Sequence, residues 1–242
     1  MSWKEDVRRK FREIVVRNGL LNERVDVRVR ILTPEEAIGN PKDRDYPIIK
    51  GRERMIEAEF KGAKGHAFAD KFKNFSGSLE EVLKLDLGNT DNRAIFISSL
   101  NAVLRYLGLA GNTVHCRNEE PVQCAMQTRD YFIEHFGAGK KVALVGYQPR
   151  FAQYLSKDFE LRVTDLDADN IGKKKDGFVI ESGEKNKEAA DWADVIFVTG
   201  TVFVSDGADI FLQNRDKTIF YGVTVAGIAA LLGLKKLCYL GH

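Results

Sequence analysis

In the second half of the chain, short apolar segments alternate with segments that can form helices. The apolar segments are KKVALVG (140–146), FELRVTD (159–165), ADVIFVTG (193–200), KTIFYGV (217–223) and KKLCYLG (235–241). The helix-compatible segments between them are 149–157, 184–191, 206–213 and 224–232. Strands that are apolar on both faces and alternate with helices form a parallel sheet covered on both sides. The pattern predicts an α/β Rossmann-like domain with a mostly parallel sheet over residues 113–242.

The first half shows the mixed pattern of an α+β domain, which we place at residues 1–112. Ser2 and Glu5 form a capping box ahead of apolar residues at helical spacing. Alternation of apolar and polar residues indicates strands farther along. The predicted elements are a helix over 3–18, a strand over 25–31, a hairpin over 53–70 with its turn at Lys61–Gly65, and helices over 78–86 and 90–107.

Composition is typical of a soluble globular protein, with 44% apolar and 30% charged residues among 242. No segment approaches the roughly 20 apolar residues of a membrane span. The N-terminal MSWKEDVRRKF has no apolar signal core, so we expect a cytoplasmic protein without a membrane partner. The 37 basic and 35 acidic residues give a net charge of +2, which predicts no binding to nucleic acid. Three cysteines are too few for a disulfide framework.

The loops after the first two predicted strands of the second half are candidate binding loops, because ligands of parallel sheets bind at the carboxyl ends of the strands. Gly146 ends the first strand, and Pro149 suits the first turn of the next helix, so this loop, with Gln148, is a candidate ligand site. The glycine-rich dinucleotide fingerprint is absent, and a plain turn is an equal alternative. Asp165 and Asp167 lie about twenty residues farther on, where an acid can hold a ribose. Aspartate is equally common as a simple turn residue.

Two further loops combine glycine with threonine. Thr199, Gly200 and Thr201 follow the third strand, and two hydroxyls around a glycine can bind an oxyanion or a phosphate. Gly222 ends the fourth strand and Thr224 begins the next helix. Both loops should lie at the same rim of the sheet, which makes them the best internal indication of a binding site.

Asn101 lies at the border of the apolar face of the helix predicted over 90–107. A buried amide needs hydrogen-bonding partners, and the more common case is an asparagine that ties a helix to a loop. The functional alternative is a side chain that points into a cleft between the two domains. His66, Lys50 and Arg52 are weaker candidates, and we expect His66 to be exposed.

The stretch TVHCRNEEPVQCAMQ (113–127) is rich in residue types that bind metals. Its His115, Cys116 and Cys124 are candidate ligands of a transition metal, although no second ligand pair completes a tetrahedral site. The simpler interpretation is a loop followed by a helix, with its N-cap at Asn118 and its end near Phe136. The predicted apolar face of that helix is Val122, Ala125, Met126, Phe132, Ile133 and Phe136. The predicted opposite, mildly polar face is Cys124, Thr128, Tyr131 and His135.

Six segments together match the motif order of a known family. They are RAIFISSLNAVLRYLG, TVHC, VALVGYQPRF, VTDLD, ADVIFVTGTVFVSDGADIFL and YGVTVAGIAALLG. The chain thereby resembles the heavy-metal chelation family of archaeal and bacterial proteins. The resemblance implies an enolase-N-terminal-like domain, a Rossmann-like domain and a ligand site in the cleft between them. The site residues that it implies are Asn101, Gly146, Pro149, Thr199, Gly200 and Thr201.

The chain departs from the family pattern at two places. Ser205 stands where the family commonly has asparagine, and Gly222-Val223-Thr224 stands where it has Gly-Pro-Ser or Gly-Pro-Thr.

Three hypotheses of function stay open. The first is a protein that binds a heavy metal or metal complex in the cleft. The second is an enzyme that uses a nucleotide-type ligand such as S-adenosylmethionine or a dinucleotide, with the ribose at Asp165 or Asp167. The third is a non-catalytic structural or regulatory homo-oligomer.

The expected partners are a small molecule or metal and further copies of the chain. In the second hypothesis, a phosphate or carboxylate of the ligand would lie at the Thr199–Thr201 loop. No Ser-His-Asp or paired-carboxylate arrangement can be assigned, so no catalytic residue is predicted.

Overall fold

The computed structural model describes residues 2–28, 33–46, 48–49, 54–69 and 74–242. Within these ranges the chain forms two β-sheets with helices packed against them. Lys50, Arg52 and the end of the strand predicted over 25–31 lie outside the described residues. None of the helices in these ranges combines the length and the apolar character that crossing a bilayer requires.

Helices and strands follow one another in both halves of the chain. Those of the first half are α1 (Trp3–Arg17), β1 (Arg24–Arg28), α2 (Pro34–Ile38), β2 (Arg54–Phe60), β3 (Ala63–Ala69), β4 (Phe75–Ser78), α3 (Leu79–Leu83) and α4 (Thr90–Tyr106). Those of the second half are α5 (Glu120–Phe136), β5 (Lys141–Val145), α6 (Pro149–Leu155), β6 (Glu160–Asp165), β7 (Lys174–Lys175), β8 (Phe178–Ser182), α7 (Asn186–Trp192), β9 (Val195–Thr199), α8 (Asp209–Gln213), β10 (Thr218–Tyr221), α9 (Ala226–Leu232) and β11 (Lys236–Leu237). Residues 183–185 and 200–203 form 3-10 turns.

Helix α1 forms as its local sequence predicts. The Ser2 hydroxyl accepts the N–H of Glu5, and the Glu5 carboxylate accepts the N–H of Ser2, which completes the capping box. The helix buries one face, because its apolar residues recur every three to four positions. The buried residues are Trp3, Val7, Phe11 and Val15.

The first sheet has the order β3-β2-β1-β4, and its described pairs are antiparallel. The hairpin between β2 and β3 is tighter than predicted, since Lys61 and Gly62 alone form the turn, both at positive φ. Strand β4 was not predicted, because its sequence FSGS has no apolar alternation. Gly65 of β3 faces α4, and a Cβ there would collide with the backbone of Ala102. This glycine lets the helix lie directly on the sheet.

The second sheet has the order β11-β10-β9-β5-β6-β8-β7. Its strands pair in parallel apart from β7, which is antiparallel to β8, so the predicted mostly parallel sheet is confirmed. Strands β7 and β8 were missed. The cluster Lys173-Lys174-Lys175 has the composition of a solvated turn, but Lys174 and Lys175 pair with Val179 and Phe178.

Both faces of the second sheet are buried. On β5, Val142 and Leu144 pack with residues of α5 and α6. Ala143 and Val145, on the other face, join an apolar cluster that continues through α9 into α4, α1 and the first sheet. One continuous core therefore connects the two halves of the chain.

Helix α5 differs from its prediction in its start and in its buried face. It begins at Glu120, and Asn118 does not cap it, since the Asn118 side chain accepts the N–H of Asn40 instead. Met126 belongs to the predicted apolar face but is 47% exposed. Cys124 belongs to the predicted polar face but is buried, because the helix packs on α6 through a face rotated from the predicted one. That face consists of Pro121, Cys124, Ala125, Thr128 and Phe132.

Candidate functional site

The loops that follow β5 and β9 meet at one rim of the second sheet. The two strands are parallel neighbours, so their carboxyl ends lie side by side. Gly146 has a φ of +83°, and a Cβ there would lie 2.7 Å from Cγ2 of Thr199. The Tyr221 hydroxyl, at the end of β10, donates to the Gly146 carbonyl at 2.6 Å. The structure thus brings Gly146 and Thr199 together and holds the first loop close to the strands.

The Thr199–Thr201 loop is a compact 3-10 turn. The Thr199 Oγ1 accepts the N–H of Thr201 at 3.3 Å and donates to the Thr201 hydroxyl at 3.1 Å. A Cβ on Gly200 would lie 2.6 Å from the backbone nitrogen of Val225. Glycine is therefore needed where this turn packs against the segment before α9. Gly222, at φ +86°, lies in the neighbouring loop in open space.

Gln148 and Pro149 begin helix α6. The Gln148 Oε1 accepts the N–H of Phe151 at 2.6 Å, so this side chain is the N-cap of the helix. Pro149 occupies the first helical position, where its missing N–H has no cost. Both residues lie at the rim, but their described contacts are those of a helix start.

Asp165 ends β6, the strand next to β5. Its carboxylate accepts the N–H groups of Leu166 and Asp167 and the side-chain N–H of Asn170, at 2.7–3.1 Å. Burial raises the pKa of this carboxyl. Asp167 accepts the N–H of Asp169 and completes the turn. Asp165 is the better placed of the two acids, because it is held at the strand end beside the Gly146 loop.

Asn101 and Thr224 connect the two halves instead of opening a cleft at this point. Asn101 is fully buried, and its Nδ2 donates to the carbonyls of His66, Val223 and Thr224 at 2.9–3.2 Å. Its Oδ1 accepts the N–H of Gly227 at 2.7 Å. These contacts are those of a structural asparagine that ties helix α4 to β3 and to the segment that begins α9, which is the more common of the two predicted alternatives.

The outer edge of β3 is covered by the linker between α4 and α5 and by the second half. His66 N–H donates to the Thr113 carbonyl, and the Thr113 hydroxyl donates to the Lys64 carbonyl. Farther along the strand, the Phe68 N–H donates to the Thr224 hydroxyl at 3.1 Å. An edge strand whose backbone groups are satisfied in this way is closed to further strand pairing.

His66 is 3% exposed, so its predicted exposure is wrong. The linker covers it: its Nδ1 accepts the N–H of His115 at 3.2 Å, and its Nε2 lies 2.9 Å from Glu57. Since Nδ1 accepts, Nε2 carries the proton and the ring is neutral. Burial lowers the pKa of His66, and the hydrogen bond from His66 lowers the pKa of Glu57 to about 2.

The loop after α2 lies against the start of α6. Arg150 is 8% exposed, and its guanidinium binds Asp43 at 3.1 Å and both oxygens of Asp45 at 2.7 Å. It stacks 5.6 Å from the ring centroid of Tyr46, which is 5% exposed. Beside them, burial and Asp45 raise the pKa of Tyr147 to about 12. The first half therefore contacts the rim of the second sheet at two places: this loop binds Arg150, and Phe68 of β3 binds Thr224.

The candidate metal ligands lie where the linker between α4 and α5 meets the C-terminal tail, residues 238–242. A further cysteine in this tail, Cys238, is not predicted from the sequence. Cys124 is 6% exposed, and the backbone N–H groups of Tyr239 and Leu240 interact with its thiol. Burial raises the pKa values of Cys116 and Cys238 to about 12. The tail pairs with the linker through two 2.8 Å hydrogen bonds between Val114 and His242.

No three His, Cys, Asp or Glu side chains in the described part of the chain are arranged to hold a metal ion. The His115 Nδ1 is occupied by the backbone, because it lies 2.6 Å from the Cys116 carbonyl oxygen, and the Cys116 Sγ is farther away at 3.8 Å. The signal for Cys238 was present in KKLCYLG, but nothing in the local pattern relates the last strand to the linker.

Residues 131–235 match the family DUF364, described as "Putative heavy-metal chelation". This match confirms the family resemblance. A DUF364 protein of unknown function from Pyrococcus horikoshii is similar in structure, with a TM-score of 0.55, 13% identity and coverage of 92% of this chain and 79% of that chain. Another, from Desulfitobacterium hafniense, has a TM-score of 0.49, 14% identity and coverage of 74% and 72%. The first likeness shows a shared fold. The comparison with curated proteins gives no match.

Proposed function

We propose that the protein binds a nucleotide-type small ligand at the carboxyl ends of β5, β6 and β9. The observation that carries the proposal is the order of the strands. Counted from β5 as the first strand, and with β7 left aside, the order is 3-2-1-4-5-6, that of the Rossmann fold. In sheets of this order the ligand lies where the order reverses, here between β5 and β9.

The residues at that point support a nucleoside ligand. Asp165 ends the second strand of this count, which is where an acid binds ribose hydroxyls. Gly146 lets the Thr199 side chain pack directly on the loop after β5, and the Thr199–Thr201 hydroxyls lie on the neighbouring strand end. The loop after β5 lacks the further glycines that a pyrophosphate needs. S-adenosylmethionine or a related nucleoside therefore fits better than a dinucleotide.

Calorimetric titration of the full chain with S-adenosylmethionine, S-adenosylhomocysteine, NAD and ATP tests the proposal. Asp165→Asn should weaken binding of the nucleoside by about ten- to a hundredfold, because a hydrogen bond to a charged group contributes about 1.5–3 kcal/mol. Asp169→Asn, in the same turn, is the matched control and should bind as the wild type does. Absence of binding by all four compounds, or equal affinities of the two variants, would contradict the proposal.

A second candidate function is the binding of a soft heavy metal by thiols. The observation that favours it is the pairing of the linker with the tail at Val114 and His242, which brings the segments that hold Cys116 and Cys238 together. The family description also favours it. Thiolates are the ligands that Cu(I) and similar ions prefer. The thiols are protonated at neutral pH, so binding must release protons and draw the linker or the tail inward.

Titration with Cu(I) under anaerobic conditions separates this candidate from the first. We expect one ion per chain, loss of binding in Cys124→Ser, and proton release in unbuffered solution. Asp165→Asn should bind the ion as the wild type does. Stoichiometric binding that survives replacement of all three cysteines would refute the thiol site.

A further inference from the structure

Two buried polar atoms without a hydrogen-bonding partner lie beside the proposed nucleoside site. They are the Tyr46 hydroxyl and the Arg150 Nε, as judged within the described residues. The two side chains are only 5% and 8% exposed. Buried polar groups in native proteins are nearly always paired, so two adjacent exceptions mark a place where a partner binds.

The two atoms belong to one stacked pair, since the Arg150 guanidinium lies over the Tyr46 ring. The other guanidinium nitrogens are engaged: Nη1 binds Asp43 and Gln153, and Nη2 binds Asp45. Arg150 Nε–H can only donate, and the Tyr46 hydroxyl can donate as well, so one group that pairs with both is an acceptor.

The charge balance narrows the chemistry of that group. Asp43 and Asp45 carry two negative charges against the single positive charge of Arg150 that they contact, while Lys42 and Arg44 of the same loop are exposed. A simple anion would therefore meet a net negative charge. A zwitterion suits both features, because its carboxylate accepts from the two donors and its ammonium lies near the surplus aspartate.

Tyr147 connects this place to the nucleoside site. Tyr147 follows Gly146 in the loop after β5, and Arg150 lies in the first turn of α6, which begins where that loop ends. The Tyr46–Arg150 pair therefore lies at the rim where β5 and β6 end, the rim that holds Gly146 and Asp165.

We infer that Tyr46 and Arg150, with Asp43 and Asp45, form a subsite for the α-amino-acid group of a nucleoside ligand. The inference rests on the proposed function, since it concerns the far end of the same ligand. It assigns the recognition of the amino acid to the first half of the chain and that of the ribose to the second.

The test compares two ligands that differ in the amino-acid group. S-adenosylhomocysteine carries this group and 5′-methylthioadenosine lacks it, and both are titrated calorimetrically into the full chain. Tyr46→Phe removes the hydroxyl alone. We expect it to weaken S-adenosylhomocysteine about tenfold and to change methylthioadenosine less than twofold. Tyr154→Phe, on α6, is the matched control and should change neither affinity.

The thermal midpoint of the ligand-free Tyr46→Phe variant should equal or exceed that of the wild type, because a buried unpaired hydroxyl is lost. Equal affinity of the wild type for both ligands would overturn the inference while the proposed function stands. So would a Tyr46→Phe effect that is the same for both. Failure of the wild type to bind either ligand would overturn the inference, and the proposed function would fall with it only if S-adenosylmethionine, NAD and ATP also failed to bind.

Discussion

Replacement of Asn101 by alanine should lower the free energy of unfolding by about 3–5 kcal/mol. The magnitude follows from the partners that the change leaves behind. The N–H of Gly227 lies in the first turn of α9, where it has no partner within the helix, and it donates to Asn101. The His66 carbonyl on the edge of β3 also depends on Asn101. Each buried group that loses its partner costs about 1–3 kcal/mol, and a small cavity adds to this.

Urea unfolding followed by circular dichroism measures the effect. Ser99→Ala is the matched control, since Ser99 lies on the same helix, is fully buried and has an Oγ with no partner in the described part of the chain. We expect that variant to change stability by less than about 1 kcal/mol, or to increase it. A loss below about 1 kcal/mol in Asn101→Ala, or a loss of the same size in both variants, would refute the reasoning.

Three further predictions concern backbone strain, protonation and thiol reactivity. Gly146→Ala should destabilise the protein by at least about 1 kcal/mol more than Gly222→Ala in the same urea assay, since both have positive φ but only Gly146 would press a Cβ on Thr199. Burial lowers the pKa of His66 below its ordinary 6.5, so the unfolded chain binds a proton that the native protein does not. The urea midpoint should fall as the pH drops below about 6.5, and an equal slope in His66→Gln would contradict this assignment. Burial keeps the thiols protonated, so iodoacetamide at pH 8 should leave the native cysteines unmodified and label all three in urea, as counted by mass spectrometry.

Local pattern predicted the elements whose residues carry their own signal. Helix α1 has its capping box and its apolar spacing, and β5 has a continuous apolar run. Strands β4 and β7 have neither. They are short and largely polar, and they exist because a neighbouring strand offers them hydrogen bonds. Such pairing depends on residues far away in the chain or on a tight reversal that composition alone does not reveal.

The candidate site was predicted in part for the same reason. Parallel strands bring their carboxyl ends to one rim, so the meeting of Gly146 and Thr199 could be expected from the order of elements. The contributions of Tyr46 and Cys238 could not. Each reaches its neighbours through a loop or tail whose path over the surface has no periodic signal.

The continuous core has a consequence for synthesis of the chain. The apolar residues of α1 and α4 are completed by Val198 of β9 and Ile228 of α9, which leave the ribosome long after them. Until then the apolar residues of α1 and α4 that pack against the second half are exposed to solvent. The Phe68 N–H on the edge of β3 also lacks its acceptor, the Thr224 hydroxyl. The nascent chain is therefore most open to aggregation while its second half is being made, and binding of a chaperone to α4 during that interval would protect it.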